Sequence, residues 1–424
     1  MSPVAITILV LIVTIIMFMS GKFPFALPAA GACVVLYMTG VLKANQAFAG
    51  FQNTNVILIF AMMIVTGGLN RTNFAAHVTK FAYRFSKSEQ SIIIGLYLMV
   101  GILSQFMNAA VALAILMPII YSVCDELKTT PTRIIFPVTI GALSWVGWFP
   151  VANGASAYGR YNGFLETLGA TERLGIWDLW YGRLPAVILC TLFMLFLGWK
   201  MAPKMPSVAV QEVKIRSNDK KALSPQKEKL AYIIFVLTTA GMLIGSLIHV
   251  DSWVVASLGA MAMCLFGILN DREAFGSVNW NIVFLMAGSL GIANALAETG
   301  AAELVGNWLQ SAMGGITNPY IIGAIFFVLP FLLTQIMSNT AVDNVFTPLA
   351  IMVCMSLKMN PIGVLCILRV AGSCSFFTPM ASPAIAYVMP AGGYSVKDLI
   401  KMSWLPCLIL GTTCVLFCMT VFPA

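Results

Sequence analysis

Long apolar stretches alternate with short polar ones along the whole chain. Runs at about 4–20, 24–42, 55–70, 132–147 and 180–200 are followed by a polar stretch from Pro203 to Lys229, and runs at about 230–249, 252–269, 281–297, 361–377 and 402–422 then repeat the same order. Each approaches the ~20 residues that carry a helix across a hydrocarbon layer of ~30 Å. Lipid offers no partner to a bare peptide group, so runs of this kind are expected to be helical. The first begins almost at Met1 and lacks both a basic leader and an Ala-x-Ala-like cleavage site, which predicts a retained helix rather than a cleaved signal.

Two stretches break the rule. Residues 90–124 and 319–357 are apolar over 35 and 39 positions, too long for one span and too short for two spans with a loop. Polar residues interrupt each at its middle: Ser104, Gln105 and Asn108 in the first; Thr334, Gln335, Ser338, Asn339 and Thr340 in the second, followed by Asp343 and Asn344. The economical reading is a re-entrant hairpin whose polar tip reaches the membrane centre.

The halves match piece by piece at offsets of 226–230 residues. Asn55-Val56-Ile57 answers Asn281-Ile282-Val283, Gln105-Phe106-Met107 answers Gln335-Ile336-Met337, Pro118 answers Pro348, and Ala157-Tyr158 answers Ala386-Tyr387. This predicts an all-α polytopic membrane protein made of two inverted repeats of five transmembrane helices, each with a re-entrant hairpin and a broken helix. The first repeat is 1–202, with its hairpin at about 90–124 and its broken helix at about 132–165. A cytoplasmic linker, 203–229, leads to the second repeat, 230–424, with its hairpin at about 319–357 and its broken helix at about 361–393. With both termini outside, 18 of the 24 basic residues fall in cytoplasmic loops, while Lys43, Arg160, Arg173, Arg183 and Lys358 stay outside and Arg369 alone lies within a span.

Composition fits this picture. Of 424 residues, 59% are hydrophobic and 9% charged, against about 25% charged in soluble domains, which excludes soluble, disordered and nucleic-acid-binding classes. The net charge of +8 then reflects topology rather than an acidic partner. Ten cysteines lie without CxxC spacing and read as small apolar fillers. His77 and His249 stand near polar segments, and no nucleophile-and-base pair or metal set suggests an enzyme. The size is that of a multi-pass transporter of the inner or plasma membrane.

The candidate chemistry lies at the tips and at two proline-broken segments. Ser338-Asn339-Thr340 precedes a half-helix whose first-turn N–H groups favour an anion, while side-chain oxygens and unwound carbonyls can replace the water shell of a cation. The first tip, Asn108-Ala109-Ala110, offers fewer side-chain oxygens. Phe149-Pro150-Val151-Ala152-Asn153-Gly154 and Thr378-Pro379-Met380-Ala381-Ser382-Pro383 each follow a hairpin by nearly the same interval, and proline there frees carbonyls that a cation can use.

Gln335-Ile336-Met337-Ser338-Asn339-Thr340-Ala341 and Cys374-Ser375-Phe376-Phe377-Thr378-Pro379-Met380-Ala381-Ser382-Pro383 resemble the hairpin tip and the phenylalanine-and-proline segment of the divalent-anion:sodium symporters, within the wider ion transporter superfamily. The resemblance implies a homodimer with a hairpin-bearing domain that moves as an elevator, and sodium-driven symport of a dicarboxylate-like anion with no covalent cofactor. Carried over, it implies one sodium site at Thr334, Ser338, Asn339 and the backbone of Ala381, and another at Ser104, Asn108 and the backbone of Ala152. Substrate contacts would fall to Asn108, Asn153, Asn339, Thr340, Ser382 and Pro383. The first tip departs from Ser-Asn-Thr, and neither break has the family's Thr-Pro-Pro pattern.

An acid within the membrane is a functional candidate in its own right. Asp343 stands five positions past Ser338, where it either carries a coupling proton, as in a cation/proton antiporter or an oxyanion permease, or forms a structural pair with Arg369. Arg160 and Arg369 are the cations nearest the breaks, and Arg160 is expected at the outer interface.

Overall fold

The computed structural model describes all residues except 21, 25, 75–76, 78–88, 211–222, 246–249, 313–315 and 423–424. The expected cytoplasmic cations Lys80, Arg84 and Lys87, as well as His249 and residues 211–222 of the polar linker, lie outside the described residues. The described residues form helices and no strand.

The first half contains α1 (Pro3–Ser20), α2 (Ala26–Met38), the short α3 (Ala44–Ala47) and α4 (Thr54–Leu69). A hairpin of α5 (Glu89–Phe106) and α6 (Ala109–Leu127) comes next. It is followed by α7 (Pro131–Trp145), a break, α8 (Asn153–Thr167) and α9 (Asp178–Phe196). The second half repeats the order with α10 (Pro225–Gly245), α11 (Ser252–Leu265), the short α12 (Asp271–Ser277) and α13 (Trp280–Thr299). An amphipathic helix, α14 (Ala301–Ala312), precedes the hairpin of α15 (Pro319–Thr334) and α16 (Asn339–Leu357), and α17 (Pro361–Ser373), a break, α18 (Pro383–Gly392) and α19 (Val396–Val421) complete it.

The repeat is written into the backbone. Lys128 and Lys358, 230 positions apart, end α6 and α16 in the same left-handed conformation (φ 51° and 55°). A proline at the first helical turn then opens α7 and α17. The helix lengths differ from expectation: α2 and α11 have 13 and 14 residues. At 1.5 Å per residue that is about 20 Å, short of the hydrocarbon thickness. Among the described residues five helices are long and apolar enough to cross a membrane: α5, α9, α13, α16 and α19.

The two halves exchange their short helices: α2 packs along α13, and α11 along α4. Small residues allow the approach. A Cβ added at Gly288 would stand 2.5 Å from the backbone carbon of Ala29, and one at Gly68 would stand 2.5 Å from the Met263 sulfur. The hairpins pack on their own broken helices, α5 on α7 and α15 on α17, and α9 pairs with α19 across the halves. The arms beyond the breaks differ. Helix α8 lies along α4 and α13, whereas α18 lies on α6 and α7 of the other half.

Candidate functional site

Each hairpin is pinned to its break by one glutamine, in matched fashion. Gln105 donates to Gly101 O (2.8 Å) and Trp145 O (2.7 Å), and its Oε1 accepts from Phe149 N (3.1 Å). Gln335 donates to Phe331 O (2.9 Å) and Cys374 O (3.1 Å), and its Oε1 accepts from Phe377 N (3.1 Å). Both are buried at positions that read from sequence only as polar interruptions. A side chain with two donors and an acceptor can stitch the unwound strand to the hairpin where no helix satisfies its backbone.

At the first tip, Asn108 caps α6 by accepting from Ala110 N (2.9 Å), and Asn153 Nδ2 donates to Ser104 O (3.1 Å) and Met107 O (3.2 Å). Ser104 Oγ turns back to Gly101 O. Asn153 thus meets the backbone of Ser104 and Met107 while Asn108 stays exposed on its own helix, and Ala152 beside Asn153 has φ 43°, the left-handed backbone that a residue with a Cβ rarely adopts. At the second tip, Ser338 caps α16 through Ala341 N (3.3 Å), Thr334 Oγ1 donates to Asn339 Oδ1 (2.6 Å), and Asn339 Nδ2 donates to Ser375 Oγ (3.0 Å). Thr378 Oγ1 donates to the Gln335 carbonyl. Thr334 and Asn339 are therefore tied to the second break through Ser375, while Ser338 bonds to its own helix. Ala381 is buried, with its N–H on Thr378 O, Ser382 caps α18 through Ala384 N, and Pro383 opens that helix. Thr340 gives its carbonyl to Asn344 Nδ2 (2.7 Å). Ser375 and Thr378 belong to this oxygen set and were missed among the sequence candidates, although both lie in the segment that drew attention. The breaks are wider than their proline cores, running over 146–152 and 374–382.

Three arginines stand around the first break, and two of them overturn expectation. Arg160 is not at an interface but nearly buried on α8, where it forms an ion pair with Asp343 of α16; the side chains are 12% and 7% exposed. Tyr161 OH donates to the other carboxylate oxygen (2.8 Å). The partner of Asp343 is thus Arg160 rather than Arg369, because the α8 arm reaches across to the opposite hairpin, a contact that no sequence spacing encodes. Arg183 is not outside either. It is 1% exposed on α9 and holds the carbonyls of Ser144 (3.0 Å) and Gly147 (3.1 Å), with Val146 O at 3.4 Å. Arg369 of α17 also reaches the first break. Its Nη2 lies 2.9 Å from where a Cβ on Gly147 would stand, Gly147 has φ 58°, and the guanidinium has no ion pair among the described residues. His77 is exposed and meets Tyr232 OH at 3.3 Å. No group of three or more metal-ligating side chains occurs among the described residues.

Matched hairpins and breaks that carry cations and open oxygens across a membrane-type helical bundle are the furniture of a transporter. The citrate transporter family model matches residues 15–345. The chain belongs to that family. Among curated relatives, an uncharacterised transporter of Synechocystis sp. is 31% identical over 184 residues, covering 43% of this chain and 29% of that protein. This chain thus spans less than a third of that relative's length. The sodium-dependent dicarboxylate transporter SdcS of Staphylococcus saprophyticus is 22% identical over 90% of this chain and 79% of its own. Among solved structures, the YdaH transporter of Alcanivorax borkumensis superposes with a TM-score of 0.63 at 14% identity over 91% of this chain and 87% of its own. MtrF of Neisseria gonorrhoeae, described within a class of antimetabolite efflux pumps, gives the same TM-score and identity over 100% and 95%. At this identity the likeness shows the fold. What the family match shows is membership of a family of membrane transporters.

Proposed function

We propose that the protein is a secondary active transporter that couples sodium to the symport of a small carboxylate anion through an elevator-type alternating-access movement. The observation that carries the anion is Arg369. A guanidinium in a low-dielectric interior without a carboxylate is costly, and a bidentate carboxylate is the ligand whose geometry it matches. Arg160 is neutralised by Asp343, which leaves Arg369 as the cation open to substrate, with Asn108, Asn153, Asn339, Thr340, Ser382 and Pro383 as further contacts. Thr334, Ser338, Asn339, Ser375 and the backbone near Ala381 offer oxygen without a carboxylate, a donor set suited to a hard monovalent cation.

The dicarboxylate assignment follows the likeness to the sodium-dependent dicarboxylate transporter SdcS, and citrate follows the citrate transporter family. The unlike packing of α8 and α18 supports alternating access: repeats with one fold in two arrangements can exchange those arrangements and so open the opposite face. A homodimer, both termini outside and a cytoplasmic linker complete the reading. Because Asp343 is engaged by Arg160 and Tyr161, it serves as a structural tie, and coupling is assigned to the second break rather than to a proton on this acid.

The test is uptake of radiolabelled citrate and succinate into proteoliposomes with an inward sodium gradient, with a proton gradient, and with neither. Accumulation driven by sodium alone is expected. Accumulation driven only by protons would reject sodium coupling, and no accumulation of either label would reject the substrate class.

A further inference from the structure

The two breaks are alike in shape but not in charge. Helix α7 ends at Trp145, and the last carbonyls of a helix have no intrahelical donors and form the negative end of its dipole. Arg183 fills that end, placing its guanidinium on Ser144, Val146 and Gly147 with no ion pair among the described residues. A fully buried cation resting on carbonyls alone is what a coordinated metal ion would be, except that this one is covalently attached.

The second break has no such charge. At the end of α17, Cys374 O receives the neutral amide of Gln335 and, at 3.8 Å, the thiol of Cys407. Where α9 brings Arg183 to the first break, α19 brings to the second the buried, uncharged thiol of Cys407.

We propose that Arg183 is a tethered cation that permanently occupies the first break in place of an ion, so that of the two symmetry-related breaks only the second binds a mobile coupling cation. The inference rests on the cation-coupled reading above and sharpens it. The Ser104, Asn108 and Ala152 set holds the tip and break in shape but takes no sodium, and the pair of breaks contributes one cation per cycle.

Two measurements on the full-length protein test this, and the first is independent of substrate and of sodium. Thermal unfolding of the wild type, Arg183→Ala and Arg183→Lys is followed in detergent with millimolar guanidinium as the probe. Guanidinium should raise the melting temperature of Arg183→Ala and leave the wild type unchanged, as expected for a ligand that binds only the folded state of the vacated site. Arg183→Lys should fall between them. An Arg183→Ala protein that folds but gains nothing from guanidinium or sodium would overturn the proposal, because the arginine would then be filling space.

The second is sodium-dependent uptake of labelled citrate or succinate. A Hill coefficient of about 1 is expected for the wild type, and one of about 2 would overturn the proposal, since the coefficient cannot exceed the number of cooperating sites. Should uptake prove indifferent to sodium, the function reading fails on its own, and the guanidinium measurement still decides the role of Arg183.

Discussion

The Asp343–Arg160 pair ties α8 of one half to α16 of the other, and removing one partner tests that tie most directly. Both side chains are nearly buried, and Tyr161 OH donates a second bond of 2.8 Å to the carboxylate. Asp343→Asn keeps an acceptor for Tyr161 but leaves the Arg160 charge buried and unpaired, a change that costs about 3–5 kcal/mol when one member of a buried pair is lost. Asp343→Ala also deprives Tyr161 of its acceptor, adding about 1–3 kcal/mol. The double change Arg160→Met with Asp343→Leu removes both charges and refills the space, so its stability should return to within about 2 kcal/mol of the wild type. Thermal unfolding of the four proteins in one detergent gives the order wild type, double, Asn, Ala. Sodium-driven uptake should survive in the double variant, because a tie can be replaced by packing whereas a coupling acid cannot. An Asp343→Asn protein as stable as the wild type would show that the ion pair contributes nothing to stability. A stable double variant without transport would make its charges part of the cycle.

The glutamine clamps should behave unequally. Gln335→Ala and Gln105→Ala each lose three hydrogen bonds and leave buried backbone groups unpaired, about 2–4 kcal/mol of destabilisation in either half. Only Gln335→Ala should also raise the half-saturating sodium concentration in uptake assays, because Arg183 still holds the first break. Arg369→Gln should raise the apparent KM for a labelled carboxylate by roughly tenfold or more, as expected for loss of a charged hydrogen-bonding group worth about 1.5–3 kcal/mol. The sodium half-saturation should stay near that of the wild type, and a shift in sodium with no shift in KM would assign Arg369 to the cation instead. Gly288→Val places a side chain 2.5 Å from the Ala29 backbone, so the α2–α13 contact must separate. A loss of about 1–3 kcal/mol in thermal or chaotrope unfolding is expected, with Gly276→Ala, whose Cβ meets nothing within 4 Å, as the neutral control.

Much of this protein is legible in one dimension because lipid is an exacting solvent. Every peptide group within it must be paired, so apolar length alone announces a helix, and an apolar stretch of the wrong length with polar residues at its centre announces a hairpin. Hence α5 with α6 and α15 with α16 follow from the spacing around Asn108 and Ser338, and the duplication follows from the matched Gln105 and Gln335. Small residues and prolines at 149–154 and 378–383 likewise declared the breaks, since neither residue type sustains a helix there.

What the sequence left open concerns partners. A basic residue near a span end looks the same whether it faces water or a carbonyl, and a topological charge count assigned Arg160 and Arg183 to the outside on that ground. Only the folded chain brings α8 across to α16, giving Asp343 to Arg160, and turns α9 so that Arg183 meets the end of α7. Such contacts join residues up to 183 positions apart. They are fixed by how helices cross, through glycine contacts such as Gly288 on Ala29, and not by any local preference. Periodicity and length therefore determined which segments are helices and where they break, whereas the partner of each buried charge was decided by tertiary packing, because electrostatic pairing depends on distance in space and hydrophobic patterning on distance along the chain.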